Sequence, residues 1–188
     1  METKALEKAK REISNVVVQS SFPEEPFHSI NTLEWLLKLK PDADDALQIA
    51  ALGHDIERAY NDKRIQSADY ETYNEYKQAH ALNSAQILTG IMEKCGVDQE
   101  IVDNVAHLVA HHEMGGDERE ELLKNADTIS FFHVCLPLFF DRKGPDTTRK
   151  RCVWGYKKLP EELREIVAEL DFMDEELKSL VREALGLE

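Results

Sequence analysis

The residues of this chain best suited to chemistry are histidines and aspartates that recur between positions 28 and 127. His54 and Asp55 stand side by side at the end of an apolar stretch, residues 46–53. A carboxylate at the buried end of such a helix costs free energy unless a compensating charge lies beside it. A bound metal ion would supply that charge. The further candidate ligands on either side of the pair are His28, His80, His111, His112 and Asp127.

The chemistry of this ligand set favours a divalent transition metal. Imidazole nitrogens mixed with carboxylate oxygens suit iron, manganese, cobalt, nickel or zinc better than calcium. The candidates fall on different predicted helices, apart from the adjacent pair His54-Asp55. A helical bundle assembles a metal site in this way, because inward-facing side chains from several helices converge on one position in its core.

Helical periodicity and the small numbers of glycine (8) and proline (6) predict an all-α fold. The Gly144–Pro160 segment is predicted to be a connection that precedes two carboxy-terminal amphipathic helices. We predict helices over about residues 2–19, 28–39, 42–56, 72–95, 98–113, 118–140, 161–170 and 174–185.

Length and composition limit the classes of protein to which the chain can belong. With 188 residues it is expected to form a single domain over 1–188. Its net charge of −14 argues against a nucleic-acid polymer as partner, because such partners require a basic face. The amino terminus does not have the pattern of a signal peptide, and the longest apolar run, 131–140, is too short to cross a bilayer. Together with three unpaired cysteines, these features predict a cytoplasmic protein that is not bound to a membrane.

The order of His28, His54-Asp55 and Asp127 resembles the HD-domain superfamily of metal-dependent phosphohydrolases. The family pattern is a histidine, then a His-Asp doublet at a helix end, then a distant aspartate. The resemblance covers a core of about residues 22–140, and residues 158–188 form a helical extension. It implies an HD-domain-like helical bundle with the metal site in its core.

The additional histidines resemble HD subfamilies that hold two metal ions bridged by the aspartate of the doublet. By that resemblance, one ion would be held by His28, His54, Asp55 and Asp127. The other would be held by Asp55, His80 and His111, with His112 either replacing or joining His111. The sequence His111-His112-Glu113 is also similar to the cyclic-dinucleotide phosphodiesterase branch, but Met114-Gly115-Gly116-Asp117 stands where that branch has Gly-Tyr-Pro. We therefore assign no cyclic-dinucleotide substrate.

The resemblance implies hydrolysis of a small anionic phosphorylated metabolite, such as a nucleotide or related phosphate ester, by metal-activated water. Asp55 is the expected bridging residue. Arg58, one helical turn after it, is expected to bind the phosphate. Lys77 is a weaker candidate for the same role, and Glu57 or Glu113 could relay protons. The basic residues between 142 and 158 form either a solvated loop or a flap that attracts anions.

Two other functions are compatible with the same ligands. Some members of the superfamily use four histidines and two aspartates to hold two irons and activate oxygen, so an HD-type di-iron oxygenase is one alternative. A non-catalytic, metal-binding helical regulator is the other. The carboxy-terminal helices either pack on the domain or form the surface of a homodimer.

Overall fold

The computed structural model describes residues 2–60 and 64–187, and within these ranges the fold is all-helical, without strands, as predicted. Short 3₁₀ helices over Ile56–Ala59 and Ser67–Asp69 and a π-helical turn over Phe131–Cys135 supplement the α-helices. No helix within the described ranges has the length and apolar character needed to cross a bilayer. The α-helices are α1 (Glu2–Val17), α2 (Glu25–Leu39), α3 (Asp45–Gly53), α4 (Tyr73–Cys95), α5 (Gln99–His111), α6 (Glu118–Ser130), α7 (Leu136–Lys158), α8 (Glu161–Ala168) and α9 (Glu175–Leu185).

The chain divides into two compact units, Met1–Ala126 and Asp127–Glu188. In the first unit, α3 packs between α2 and α5, α4 packs along α5, and α1 contacts α3 and α4. The core between these helices is aliphatic, and several of its side chains are fully or almost fully buried: Leu36, Leu47, Ile49, Leu88, Met92, Leu108 and Leu123. This packing fixes the helix ends that carry the candidate ligands.

Capping residues explain where α3 and α4 begin and where α4 ends. Asp44 accepts a hydrogen bond from the backbone N–H of Leu47 at 2.9 Å and so starts α3. Thr72 and Glu75 form a reciprocal capping box at the start of α4. Gly96 ends α4 in the left-handed conformation, with φ of 77°, where glycine is favoured.

The predicted end of the third helix is wrong by a few residues, and the difference matters for the site. α3 ends at Gly53 instead of continuing to Ile56. Asp55 leaves the α-helical conformation, with φ of −104° and ψ of 16°, and the chain continues as a 3₁₀ helix. The doublet therefore lies on a tight turn, so His54 and Asp55 present their side chains from the end of the helix.

In the second unit, the predicted connection over 144–160 is helical as far as Lys158 and belongs to α7, which packs against α9. Gly144 interrupts α7 with φ of 73°, and Pro145 follows it. Proline suits the first turn of a helix, where its missing N–H has no intrahelical partner. The Gly-Pro pair thus kinks the helix and restarts it, so the basic residues of this segment lie on a helix and not in a loop.

Replacing Gly53 by Ala is expected to lower the free energy of unfolding by about 1–3 kcal/mol, because the added methyl overpacks the core. A Cβ at this position would lie 2.5 Å from Cδ2 of Leu88, which is fully buried and cannot easily move aside. Gly90→Ala on α4 is the control: no described atom lies within 4 Å of its Cβ position, so it should stabilise the helix slightly. Urea denaturation of both variants measures the difference, and equal stabilities would contradict this packing.

Candidate metal centre

Four separate elements of the first unit bring buried histidines together around Asp55. α2 supplies His28, the turn after α3 supplies His54, α4 supplies His80, and the residue after α5 is His112. All four imidazoles are buried, with exposed fractions of 3% or less. Their ring centroids are 5.0 Å apart for His28 and His54, 5.2 Å for His54 and His112, and 6.0 Å for His80 and His112.

His54 and His28 face each other through their Nε2 atoms, which are 3.2 Å apart. His54 Nδ1 lies 3.0 Å from the carbonyl oxygen of Ala51, which can only accept, so this nitrogen carries the proton. In the neutral ring, the lone pair of His54 is therefore on Nε2. It can accept either a proton from His28 or a metal ion. Asp55 Oδ2 lies 3.8 Å from His54 Nε2 and 4.0 Å from His28 Nε2.

His80 lies between two carboxylates. Its Nδ1 is 2.7 Å from Oε1 of buried Glu57, and its Nε2 is 2.6 Å from Oδ1 of Asp55. Burial disfavours the imidazolium, but the charge and hydrogen bond of Asp55 and the hydrogen bond to Glu57 outweigh burial and raise the pKa of His80. A histidine that ligates a protein-bound metal through one nitrogen commonly donates its other ring N–H to a carboxylate, as Nδ1 of His80 can to Glu57.

The two ring nitrogens of His112 have different surroundings. Its Nδ1 lies 2.7 Å from the carbonyl oxygen of Val109 and so carries the proton of the neutral ring. Its buried Nε2 has no hydrogen-bond partner in the part of the chain that the structure describes. The nearest acidic atoms are Oδ1 of Asp55 at 3.8 Å and Oε1 of Glu113 at 3.5 Å. Burying such an acceptor unpaired is unfavourable, so this atom requires a cation or a donor.

The structure separates the two adjacent histidines that the sequence left as alternatives. His111, at the last position of α5, has a side chain that is 46% exposed. Its Nδ1 bonds to the carbonyl oxygen of His107, and its ring faces Glu120 at 3.5 Å. His112 is therefore the one of the pair that joins the buried cluster, and His111 lies outside it.

Arg58, which the sequence predicts to bind phosphate, contacts Asp55 and also an acidic residue of α2. Its Nη1 lies 2.8 Å from Oδ2 of Asp55 and 2.5 Å from Oε1 of Glu25. Burial would raise the pKa of the Asp55 carboxyl, but the charges of Arg58, His54 and His80 hold this pKa well below its usual value. Arg58 thus keeps Asp55 ionised and fixes its orientation.

A second cation, Lys77, lies on α4 one turn before His80 and is buried. Its ammonium group forms an ion pair with Glu113, the neighbour of His112. Burial lowers the pKa of Lys77, but the Glu113 carboxylate more than offsets this effect, so the pKa is raised and the side chain stays charged. Lys77 therefore supplies positive charge beside the histidines.

The donor set fits a transition-metal ion. Asp55, His80, His112 and Glu113 each offer one ligand atom, and these four atoms all lie within 4.8 Å of one another. Oriented imidazole lone pairs and ionised carboxylates are the ligands that zinc, iron and manganese accept. Asp127, the remaining predicted ligand, follows Ala126 directly on α6 and is the first residue of the second unit, so its role stays a prediction.

The roles of three acidic residues of the site could not be predicted in full from the sequence. Glu57 and Glu113 stood out merely as possible proton relays, although Glu57 orients His80 and Glu113 adjoins His112. Glu25, which binds Arg58, was missed. Its only signal in the sequence is a position three residues before His28 at the start of a helix, which also describes many solvated glutamates.

Comparisons with known proteins identify a family but no characterised relative. No curated protein matches the chain, and no solved structure matches it. One family model, described as a domain of unknown function (DUF4202), matches residues 3–181. Because this match extends over both units and nearly the whole sequence, the chain belongs to the DUF4202 family.

Proposed function

We propose that this protein is a metal-dependent phosphohydrolase of the HD type that acts on a small phosphorylated metabolite, such as a nucleotide or related phosphate ester. The single observation that carries the proposal is the orphaned Nε2 of His112, which lies in a buried cluster opposite the ionised carboxylate of Asp55. Two electron-pair donors that face each other in a buried space favour a bound cation. The resemblance to the HD pattern supplies the reaction class.

In the proposed site, Asp55 bridges two groups of ligands. His28 and His54 belong to one group, and His80 and His112 belong to the other, with His112 in the place that His111 might have taken. When bound, a divalent metal polarises a phosphoryl oxygen and activates a water molecule. Asp55 presents its two oxygens to different histidines, with Oδ1 towards His80 and Oδ2 towards His54 and His28, which supports the bridging role.

The charges around the site support both a metal and an anionic substrate. Within the contacts described, four carboxylates face two cations, Arg58 and Lys77; the carboxylates are those of Glu25, Asp55, Glu57 and Glu113. Metal binding requires neutral histidines, so His80 must lose the proton that it shares with Asp55. In that state the set has two uncompensated negative charges, which one divalent ion would balance. A second divalent ion would leave the site positive. A phosphate group would neutralise that excess, so we propose an anionic substrate.

The chain's own side chains have distinct roles in this proposal. Arg58 keeps Asp55 ionised and correctly oriented, so it acts as a positioning residue for the metal ligand. Glu57 holds His80 through Nδ1 and thereby directs Nε2 of that ring towards Asp55. Lys77, held by Glu113 at the edge of the histidine cluster, is the group that we expect to contact a phosphoryl oxygen.

The proposal predicts phosphate release that depends on added metal. The purified protein is stripped with a chelator, reloaded separately with manganese, cobalt, nickel, iron or zinc, and assayed against a panel of nucleotides and other phosphate monoesters. We expect turnover with at least one metal, and background rates in the stripped protein. Oxygen uptake by the iron form without phosphate release would replace the proposal with the oxygenase. A folded protein with neither activity would indicate a non-catalytic regulator.

A further inference from the structure

A second group of metal-binding side chains lies outside the buried cluster, where α5 ends and α6 begins. His107 and His111 are one helical turn apart on α5, and Glu120 lies in the first turn of α6. The two imidazole centroids are 4.4 Å apart, and both side chains are about half exposed. The group is therefore open to ions from solvent, whereas the central histidines are buried.

Hydrogen bonds to the backbone orient the donor atoms of this group. Glu120 accepts a hydrogen bond from the backbone N–H of Asp117 through Oε2, while its Oε1 faces the imidazoles. The nitrogen of His111 that lies 3.5 Å from Oε1 of Glu120 is Nδ1, and it also bonds to the carbonyl oxygen of His107 at 2.8 Å. The lone pair of the neutral ring is therefore on Nε2, and a rotation of the ring brings it towards an ion. A carboxylate that is itself buried, with one oxygen fixed, is a better preorganised ligand than a mobile surface glutamate.

The distances suit adjacent positions around one ion. His107 Nε2 lies 2.8 Å from Oε1 of Glu120, and each of the three residues offers a ligand atom within 4.8 Å of the others. Ligands bound to zinc at about 2.0–2.2 Å are separated by roughly 3 Å or slightly more, depending on the angle at the metal. Small side-chain rotations would therefore admit an ion, and solvent can fill its remaining positions.

We propose that His107, His111 and Glu120 form a surface site for a divalent transition-metal ion of the zinc class, separate from the central cluster. The ion would join the end of α5 to the first turn of α6. The short segment between these helices contains His112 and Glu113, so the surface site is close to the central cluster in sequence but shares no ligand with it. The proposal rests on these three side chains and is independent of the phosphohydrolase assignment.

The test is a calorimetric titration of the metal-stripped full chain with Zn²⁺. It compares the parent protein with His107→Asn, His111→Asn and Glu120→Gln, and with His133→Asn as a control in which an exposed histidine is removed from another helical turn. We expect the parent and the control to bind the same number of ions. Each cluster variant should lose one ion or bind it at least about tenfold more weakly.

A second set of Zn²⁺ titrations, on double variants, distinguishes binding at the surface site from binding at the central cluster. The same cluster substitutions are made in an Asp55→Asn background, or in a His112→Asn background should the first not fold. One Zn²⁺ per chain should remain in the Asp55→Asn background, where both groups of the central cluster lose their shared ligand. In either background, replacement of His107 as well should remove one Zn²⁺ per chain. Unchanged Zn²⁺ binding in all three cluster variants would overturn the proposal, and so would no binding in either background, which would leave only a histidine–glutamate ion pair. Absence of phosphatase activity would not affect these results.

Discussion

Asp55→Asn is expected to reduce metal-dependent phosphate release to background and to weaken metal binding in the central cluster by at least about 100-fold. Even groups that only support a metal ligand contribute about 10–100-fold in affinity, and Asp55 is proposed as a shared ligand. Asparagine keeps the size of the side chain but removes the charge that faces His80 at 2.6 Å and Arg58 at 2.8 Å. Calorimetry with Mn²⁺ and a phosphate-release assay measure the two effects.

The matched control is Asp103→Asn, which makes the same chemical change at an exposed position on α5. Its activity and metal affinity should equal those of the parent protein. Circular dichroism and thermal melting show whether each variant is folded, because removal of a buried charge also affects its partner Arg58. A folded Asp55→Asn protein that retains turnover within a few-fold of the parent would refute the proposed role of this residue.

Substitution of the two neighbouring histidines is expected to affect metal-dependent turnover very differently. His112→Ala should lower metal-dependent turnover by at least about 100-fold, because it removes a buried imidazole whose Nε2 faces Asp55. His111→Ala should change turnover by no more than about twofold, because that ring lies on the exposed side of α5 beside His107. The two variants remove the same side chain one residue apart, so each is the control for the other.

Steady-state phosphate-release assays at saturating metal compare the turnover of His111→Ala and His112→Ala. The stability of each variant is measured alongside. His112→Ala leaves a cavity and should lower the melting temperature, whereas a surface change such as His111→Ala is normally within about 0.5 kcal/mol of the parent. Addition of imidazole to His112→Ala offers a further check, because it can refill the cavity. If His111→Ala loses activity while His112→Ala keeps it, the assignment of ligands within the pair is reversed.

The sequence predicted the all-α fold and the convergence of His28, His54, Asp55 and His80. Each of these residues lies on or beside a different predicted helix, apart from the adjacent pair His54-Asp55, and a bundle directs inward-facing side chains of several helices to one position. It could not choose between His111 and His112, because consecutive residues of a helix point about 100° apart and the rotation of α5 is set by packing. The orienting partners Glu25 and Glu57 depend on contacts across 33 and 23 residues, respectively, which no local pattern specifies.

The main error in predicting helix boundaries lies in the second unit and has a clear cause. Gly144-Pro145 has the features of a break, and a break is present, but the helix restarts immediately instead of becoming a loop. Residues after it have buried positions at Thr148, Cys152 and Gly155, spaced by four and three, which is a helical pattern that the surrounding lysines and arginines obscure. Burial also raises the pKa of the Cys152 thiol to about 12, so this cysteine is an unreactive packing residue.

The most direct test of the central claim is the anomalous scattering of a manganese-soaked crystal, collected to locate the ions. We predict a peak within the cluster formed by Asp55, His80 and His112, at roughly 2.0–2.3 Å from the coordinating atoms, with the direct contact between His80 and Asp55 replaced by coordination. A fully substituted crystal with no peak in this cluster, in which His80 Nε2 still bonds directly to Asp55, would contradict the account.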